Sequence, residues 1–291
     1  MADKQLRYGY VVPMGDSRHF AELAVTAEQA GWDAAFIAES VWGVDAWVAM
    51  TAAAVLTERI RVGTLLTPVP RIRPWDLASR AVTLDRLSNG RLILSAGLGA
   101  LHDGWTAFER DEGRAMRVRK LDEGLAVYDG LMRGQPFAFD GEIYQVRPTT
   151  FYPPDPPVQR PRPPVWLVGA YVPGRIRQPS LERAARWDGL LPARTDATQG
   201  KVGTPARLQE VIERVRRYRE NAGLPWEGYD VVLEADSTGG FVQLEPNDPD
   251  AWAEVGVTWW VESWWDVEDT PAGQSEIRRR IEAGPRGVVQ R

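Results

Sequence analysis

The run from Ile60 to Gly99 constrains this chain more than any other stretch. Ile60-Arg-Val-Gly-Thr-Leu-Leu66 has the short apolar character of a strand. Thr67 to Arg73 holds two prolines and two arginines, which suits a loop. Pro74 then opens a helix, because its fixed φ fits the first helical position. Leu77, Ala81 and Leu84 recur at helical spacing, with Leu87 closing the stripe. Asn89-Gly90 supplies a left-handed stop, and Arg91 to Ala96 reads as a second buried strand before Gly97-Leu98-Gly99. Strand, covering helix and strand make a crossover unit, which implies parallel pairing.

The same rhythm extends both ways. Tyr8 to Val12 and Ala34 to Ala38 are strands, separated by a helix that Asp16 or Ser17 caps and Gly31 ends. A helix from about Asp45 to Leu56 carries Trp47, Ala52 and Val55. After Gly113 a helix carries Leu121, Leu125, Tyr128 and Met132. Residues 135–164 break the pattern, and Pro148 to Pro164 contains eight prolines, too many for a regular element. The alternation resumes afterwards, so this stretch is an excursion from one domain spanning 1–291. Strands follow at Val165–Val168, Asp188–Leu191 (stopped by Pro192), Tyr229–Ala235 and Val257–Val261. Eight strands alternating with eight helices predict an α/β fold, a (β/α)8 TIM barrel with an insertion between strands 4 and 5. An open doubly wound sheet is the alternative.

Composition removes several function classes. The chain has no cysteine and two histidines, His19 and His102, which leaves no thiolate site and little for an imidazole metal site. A net charge of −5 argues against a nucleic-acid partner. No apolar run reaches membrane-spanning length. The first residues carry no signal-peptide core, so the expected setting is cytoplasmic. There is no G-x-S-x-G elbow, no H-E-x-x-H and no Walker A. Chemistry borrowed from an organic cofactor remains, or a hydrolase or lyase using Glu39, Glu234 or Glu262.

In a barrel the site lies at the carboxyl ends of the strands. Glu39-Ser40-Val41-Trp42 follows strand two and offers a carboxylate, a hydroxyl and an aromatic wall. Thr64, Leu65 and Leu66 end strand three with an apolar face suited to a ring. Gly97 and Gly99 let backbone approach a ligand, although the third glycine of a dinucleotide fingerprint falls at His102. His102 is the better placed histidine for proton transfer. Gly169, Ala170, Arg175 and Arg177 precede a helix and suit a phosphate. Trp105, Trp260 and Glu262 are candidates for the pocket wall; alternation puts Trp260 and Glu262 on one side of their strand.

These stretches resemble the luciferase-like monooxygenases, a superfamily of flavin- and deazaflavin-dependent oxidoreductases. The carrying residues are Ala35-Phe-Ile-Ala-Glu39, Arg59 to Thr64, Thr83 to Arg91 and Leu94 to Gly99. Arg119 to Leu125, Gly141 to Tyr144, Pro163 to Trp166 and Arg183 to Gly189 follow. The likeness is good from Tyr8 to Pro192 and thin beyond, except at Gly256 to Trp260. It implies a barrel with insertions, FMN or coenzyme F420 over the strand ends, a small organic substrate, and cytosolic homodimers. It implies a non-proline cis peptide at Leu65-Leu66 under the ring, and cofactor phosphate held by the loops after strands four and five. Hydride transfer or oxygen insertion is the implied reaction. One position departs from the pattern: many members carry a histidine where this chain has Ser40. That departure leaves open a second reading, a non-catalytic flavin-binding barrel or partner subunit.

Overall fold

The computed structural model describes residues 6–13, 15–101, 104–193, 204–240, 242 and 244–285. Ten strands and eight α-helices are placed among them. They are β1 (Arg7–Val12), α1 (Ser17–Ala30), β2 (Ala34–Ile37), α2 (Ala46–Leu56), β3 (Arg61–Pro68), α3 (Pro74–Leu87), β4 (Leu92–Gly97) and α4 (Arg114–Arg133). Then come β5 (Phe139–Asp140), β6 (Gln145–Val146), β7 (Val165–Ala170), α5 (Pro179–Ala184), β8 (Gly189–Ala193), α6 (Pro205–Asn221), β9 (Asp230–Ala235), α7 (Pro249–Glu254), β10 (Trp259–Ser263) and α8 (Pro271–Glu282). Strands β1–β4 and β7–β10 close a parallel barrel in the order β1-β10-β9-β8-β7-β4-β3-β2. The open sheet is thereby excluded. Strands β5 and β6 form a small antiparallel hairpin between α4 and β7. Among the described residues no helix is long and apolar enough to cross a membrane.

Alternation along each strand divides the apolar residues into two layers. Val11, Phe36, Leu65, Ile93, Trp166, Leu191, Val232, Trp259 and Val261 fill the barrel interior. Tyr10, Ala35, Val62, Leu94, Leu167, Leu233 and Trp260 pack outward against the helices. Trp259 meets Phe36 and Trp166 edge to face and Phe36 is tilted against Trp166, with ring centroids 5.2 to 6.4 Å apart. Gly63 and Gly9 admit the Phe36 ring: a Cβ on either would lie under 3 Å from it. The interior is a packed core and not a pore.

The helix ends follow local chemistry. Asp16 caps α1 and Gly31 ends it at φ 88°. Pro74 opens α3, and Asn89 (φ 53°) and Gly90 (φ 81°) supply the left-handed stop. Three expectations are corrected. Leu87 is half-exposed and not part of the α3 stripe. Helix α2 buries Ala46, Trp47, Ala49, Met50, Ala53 and Ala54, while Val55 is exposed; its sequence is apolar all round, so spacing does not define a face. Strands β3 and β8 run through Pro68 and Pro192, because a missing N–H costs little at a strand tip.

The segment 147–164, with no regular element, is tied to the barrel by side chains. Buried Asp85 accepts from Gln159 N at 3.0 Å and Gln159 Nε2 at 2.7 Å. Arg162 donates to Asp129 at 2.7 Å and also to Asp188.

The α2–β3 loop is clamped from both sides of its backbone. Glu28 accepts from the amides of Glu58, Arg59 and Ile60. Buried Arg91 donates to the carbonyls of Ala54, Thr57, Ile60 and Ser88 at 2.7 to 2.9 Å, and to Thr57 Oγ1 at 2.8 Å. Glu123 repeats the acceptor half, taking the amides of Glu142, Ile143 and Tyr144. Burial pushes both carboxyls up, but three amide bonds on each prevail and hold them below the ordinary glutamate value. A depressed acid contributes stability above its unfolded value and loses it as pH falls through the folded one. Urea midpoints are therefore expected to decline as pH falls below the ordinary glutamate value of 4.5. Glu28→Gln is expected to flatten that decline, and a wild-type pH slope in the variant would refute the clamp.

Candidate active site at the carboxyl ends of the strands

A bulge in β3 shapes the mouth. Thr64 pairs with Leu94 and Thr67 with Ala96, so three steps on β3 face two on β4. Residues three apart in a regular strand point to opposite faces. Here the irregularity turns both hydroxyls to one side, and Thr67 Oγ1 lies 2.9 Å from Thr64 Oγ1. The Leu65-Leu66 peptide within it is cis. Leu65 joins the interior layer. Leu66 rests on Gly97, where a Cβ would lie 3.1 Å from its side chain and 3.3 Å from Val168.

Glu39 lies at the end of this hydroxyl pair. Asp45 caps α2 by accepting from the amides of Trp47 and Val48, which fixes the first turn and aims Trp47. The indole donates to Glu39 Oε1 at 3.3 Å, and Thr67 Oγ1 donates to Oε2 at 2.6 Å. Burial pushes the Glu39 carboxyl above its ordinary value, and the Thr67 and Trp47 bonds and the Arg80 charge only partly offset it. Thr64 Oγ1 donates on to Ser95 O at 3.3 Å. The chain has two self-consistent directions. With Glu39 ionised, Thr67 donates to it. With Glu39 protonated, the carboxyl donates to Thr67, Thr67 to Thr64 and Thr64 to the carbonyl.

The other expected residues are placed unevenly. Ser40 is exposed, and Trp42 is 85% exposed, standing in solvent and not forming a wall. Trp105 is buried against Gly99, where a Cβ would lie 2.8 Å from its ring and 2.9 Å from Pro68. Arg71 and Arg117 flank its ring at 5.4 and 5.6 Å. Gly169 lacks a side chain for packing reasons: a Cβ there would lie 2.4 Å from Leu190 and 2.8 Å from Leu181. Ala170 is bracketed by Ser180, whose hydroxyl both accepts from and donates to its backbone. Arg175 and Arg177 lie on the exposed loop after β7, which Gln178 holds through Val172 and Arg175. His102 lies outside the described residues.

Trp260 and Glu262 are a correction. Both are fully buried on the outer face of β10, where Trp260 Nε1 donates to Glu262 at 2.7 Å and Ser237 donates to it twice. Burial pushes the Glu262 carboxyl up despite those bonds. Neither side chain lines the mouth. The inward parity belongs to Trp259 and Val261, and on the neighbouring strand to Val232 and then Glu234. Glu234 is half-buried, and Trp265 Nε1 donates to it. Strand parity carried the signal for Glu234: counting inward from Val232 reaches it, whereas charge and spacing alone did not choose between Glu234 and Glu262.

The mouth is thus an apolar floor of Leu65, Val168, Leu191 and Val261, with Glu234 on one wall and Glu39 with its hydroxyl chain at the β2–β3 edge. The luciferase-like monooxygenase family model matches residues 5–286 of this chain. A Mycobacterium tuberculosis protein of uncharacterised role is 27% identical over 269 residues, covering 82% of this chain and 85% of its own. An F420-dependent glucose-6-phosphate dehydrogenase of Nakamurella multipartita is 30% identical over 236 residues, covering 72% of this chain and 66% of that protein. A monooxygenase from Streptomyces bottropensis superposes with TM-score 0.72 at 19% identity, covering 95% of this chain and 98% of that one. The coenzyme F420 dependent tetrahydromethanopterin reductase of Methanopyrus kandleri gives TM-score 0.72 at 16% identity, covering 97% and 99%. At such identities the solved structures establish the fold alone. The match across nearly the whole chain places this protein in the luciferase-like monooxygenase family.

Proposed function

We propose that this chain, acting as one domain, is an oxidoreductase that exchanges a hydride with a small organic substrate through deazaflavin F420, with FMN as the competing cofactor. The observation that carries the reading is the mouth itself, an apolar floor with the inward Glu234 on one wall and the perturbed Glu39 carboxyl at the β2–β3 edge. A relative named for F420 dependence is 30% identical over 72% of this chain, which supports F420 and hydride transfer as the first reading.

The residues fit such a group. Leu65 and Leu66 at the bulge, with Val168, give an apolar platform for a ring. Gly97 keeps Leu66 in place, and the Gly99 turn carries a positive φ of 79°. Arg175 and Arg177 stand in the exposed loop after β7; among the described residues Arg175 has no ion pair and Arg177 has one, to Glu182 at 3.8 Å. They are the cations for a phosphate. The bound ring would supply the hydride acceptor or donor. Glu39 handles the proton, since burial raises its carboxyl above the ordinary glutamate value and makes the protonated form easier to hold. Thr67 and Thr64 orient it. Glu234 and Trp265 form the wall that excludes water. Ser40, where relatives carry histidine, is a hydrogen-bond donor without basicity.

Equilibrium titration with F420 and with FMN tests the proposal. Saturable F420 binding well below roughly millimolar, weakened by Arg175→Ala, is the expected result. Binding of neither cofactor refutes it, and FMN alone moves the reading to oxygen insertion.

We further propose that two copies associate through the outer faces of α2 and α3. Val48, Val55 and Leu56 on α2 and Trp75 and Leu87 on α3 are all exposed, and large apolar side chains left in solvent are of the kind that an interface covers. Light scattering is expected to give a dimer mass for the native chain and a monomer mass for Val48→Glu combined with Val55→Glu. A monomeric native chain refutes this interface.

A further inference from the structure

We infer that the bowl at the amino-terminal end of the barrel is a binding site for a small multivalent oxyanion of the phosphate class, gripped by Arg61 and Arg160. The bowl lies opposite the mouth, has a volume of about 540 Å³, and is lined by four arginines, Arg7, Arg61, Arg160 and Arg162, against two aspartates, Asp188 and Asp230.

Both aspartates are already committed. Asp230 accepts from Arg7 at 2.5 Å, from Thr258 at 3.1 Å and from Trp166 at 3.2 Å. Asp188 accepts from Arg162 and from the Val165 amide. Arg162 is also shared with Asp129. Arg7 and Arg162 are therefore neutralised, and two guanidiniums remain. The Arg61 guanidinium has one hydrogen bond, to the Gln159 carboxamide oxygen at 3.4 Å, and no carboxylate partner among the described residues. Gln159 is itself anchored on Asp85 and on the Leu92 carbonyl, so it holds Arg61 in place without discharging it. Arg160 is exposed on the bowl rim and has no ion pair among the described residues.

A guanidinium keeps its charge at any working pH and presents five donors in a rigid fork. Arg61, which lines the bowl, commits one of them to Gln159, and the others have no partner among the described residues. Such a fork matches tetrahedral oxyanions in two-point geometry. The bowl concentrates positive charge on a chain whose net charge is −5, so the attraction is local and short in range. The floor, Ile93 and Trp259, is apolar and sealed, which limits the ligand to the depth of the arginine ring. The irregular proline-rich segment supplies Gln159 to Pro164 and completes the rim.

The competing account is that these arginines only close the barrel bottom, where residues commonly serve stability. Isothermal titration and thermal unfolding of the full chain with inorganic phosphate and with pyrophosphate, against chloride at equal ionic strength, separate the two. On the chain carrying Arg175→Ala and Arg177→Ala, which removes the phosphate cations proposed for the mouth, the expected result is one saturable site per chain with a rise in melting temperature. Arg61→Ala and Arg160→Ala are each expected to weaken binding by about tenfold or more, while Arg175→Ala at the opposite end leaves it intact. Arg160 is exposed, so its variant carries the test even if Arg61→Ala fails to fold. Equal binding of the two anions assigns a free phosphate, and tighter pyrophosphate binding assigns a phosphoanhydride-bearing ligand. A response matched by chloride, or one lost with Arg175→Ala and kept with Arg160→Ala, overturns the site.

Discussion

Replacing Arg91 with methionine is expected to lower the unfolding free energy by about 3–5 kcal/mol, the range for removing one side of a buried charged network. Arg91 is 9% exposed and has no carboxylate partner among the described residues. Its guanidinium is instead shared among four carbonyls and a hydroxyl. Two of those carbonyls, of Ala54 and Thr57, end α2, where the helix dipole favours a cation. Methionine fills similar volume and satisfies none of them, and each buried carbonyl left without a donor costs about 1–3 kcal/mol. Lysine restores part of the loss, because three donors on one nitrogen cannot reach five acceptors arranged around a fork. Urea unfolding with an unchanged slope checks this. A loss below about 1 kcal/mol would place Arg91 among ordinary surface substitutions and sink the argument. Arg219 makes the same kind of staple, to the carbonyls of Ala185, Trp187 and Pro225, and lies over Tyr229.

The second large effect is catalytic and rests on the proposed hydride exchange. Glu39→Gln is expected to reduce turnover by roughly 10²–10⁴-fold, the usual contribution of a positioned acid or base, with little change in cofactor binding. The Gln amide keeps an acceptor for Thr67 and loses the titration. Thr67→Val provides the sharper reading. The Thr67 bond favours the ionised carboxyl, so its loss raises the Glu39 pKa further, and the limb of the pH–rate profile moves to higher pH. The direction holds whether the ionised or the protonated form is active. A Thr67→Val profile superimposable on wild type, or a Glu39→Gln enzyme with normal turnover, removes Glu39 from the chemistry.

Much of the fold was legible because local signals agreed. Asp16, Gly31, Pro74 and Asn89-Gly90 mark their helix ends by backbone chemistry that no tertiary contact overrides. The cis peptide at Leu65-Leu66 followed from the family resemblance, since nothing in two leucines announces it. The α2 face was not legible, because a helix apolar on every side has no direction until its neighbours are in place. The site was read less well than the fold. Strand ends locate a mouth, but whether Trp260 or Trp259 faces inward depends on register, and a shift of one residue exchanges the two layers. Glu39 is singled out in the sequence by its place after β2, while its partners Thr67 and Trp47 become neighbours only through a bulge and a capped first turn.

The aromatic filling of the barrel has a consequence for proton traffic. Phe36, Trp166 and Trp259 are each fully buried across the axis. Water has no axial route between the bowl and the mouth. A proton taken up or released in a turnover at the mouth must enter from the solvent side of that mouth, through the β2–β3 edge where the Glu39 hydroxyl chain lies or past the Glu234 wall. The two ends of the barrel are chemically separate compartments of one molecule, and an anion in the bowl reaches the chemistry only through the rigidity of the strands between them.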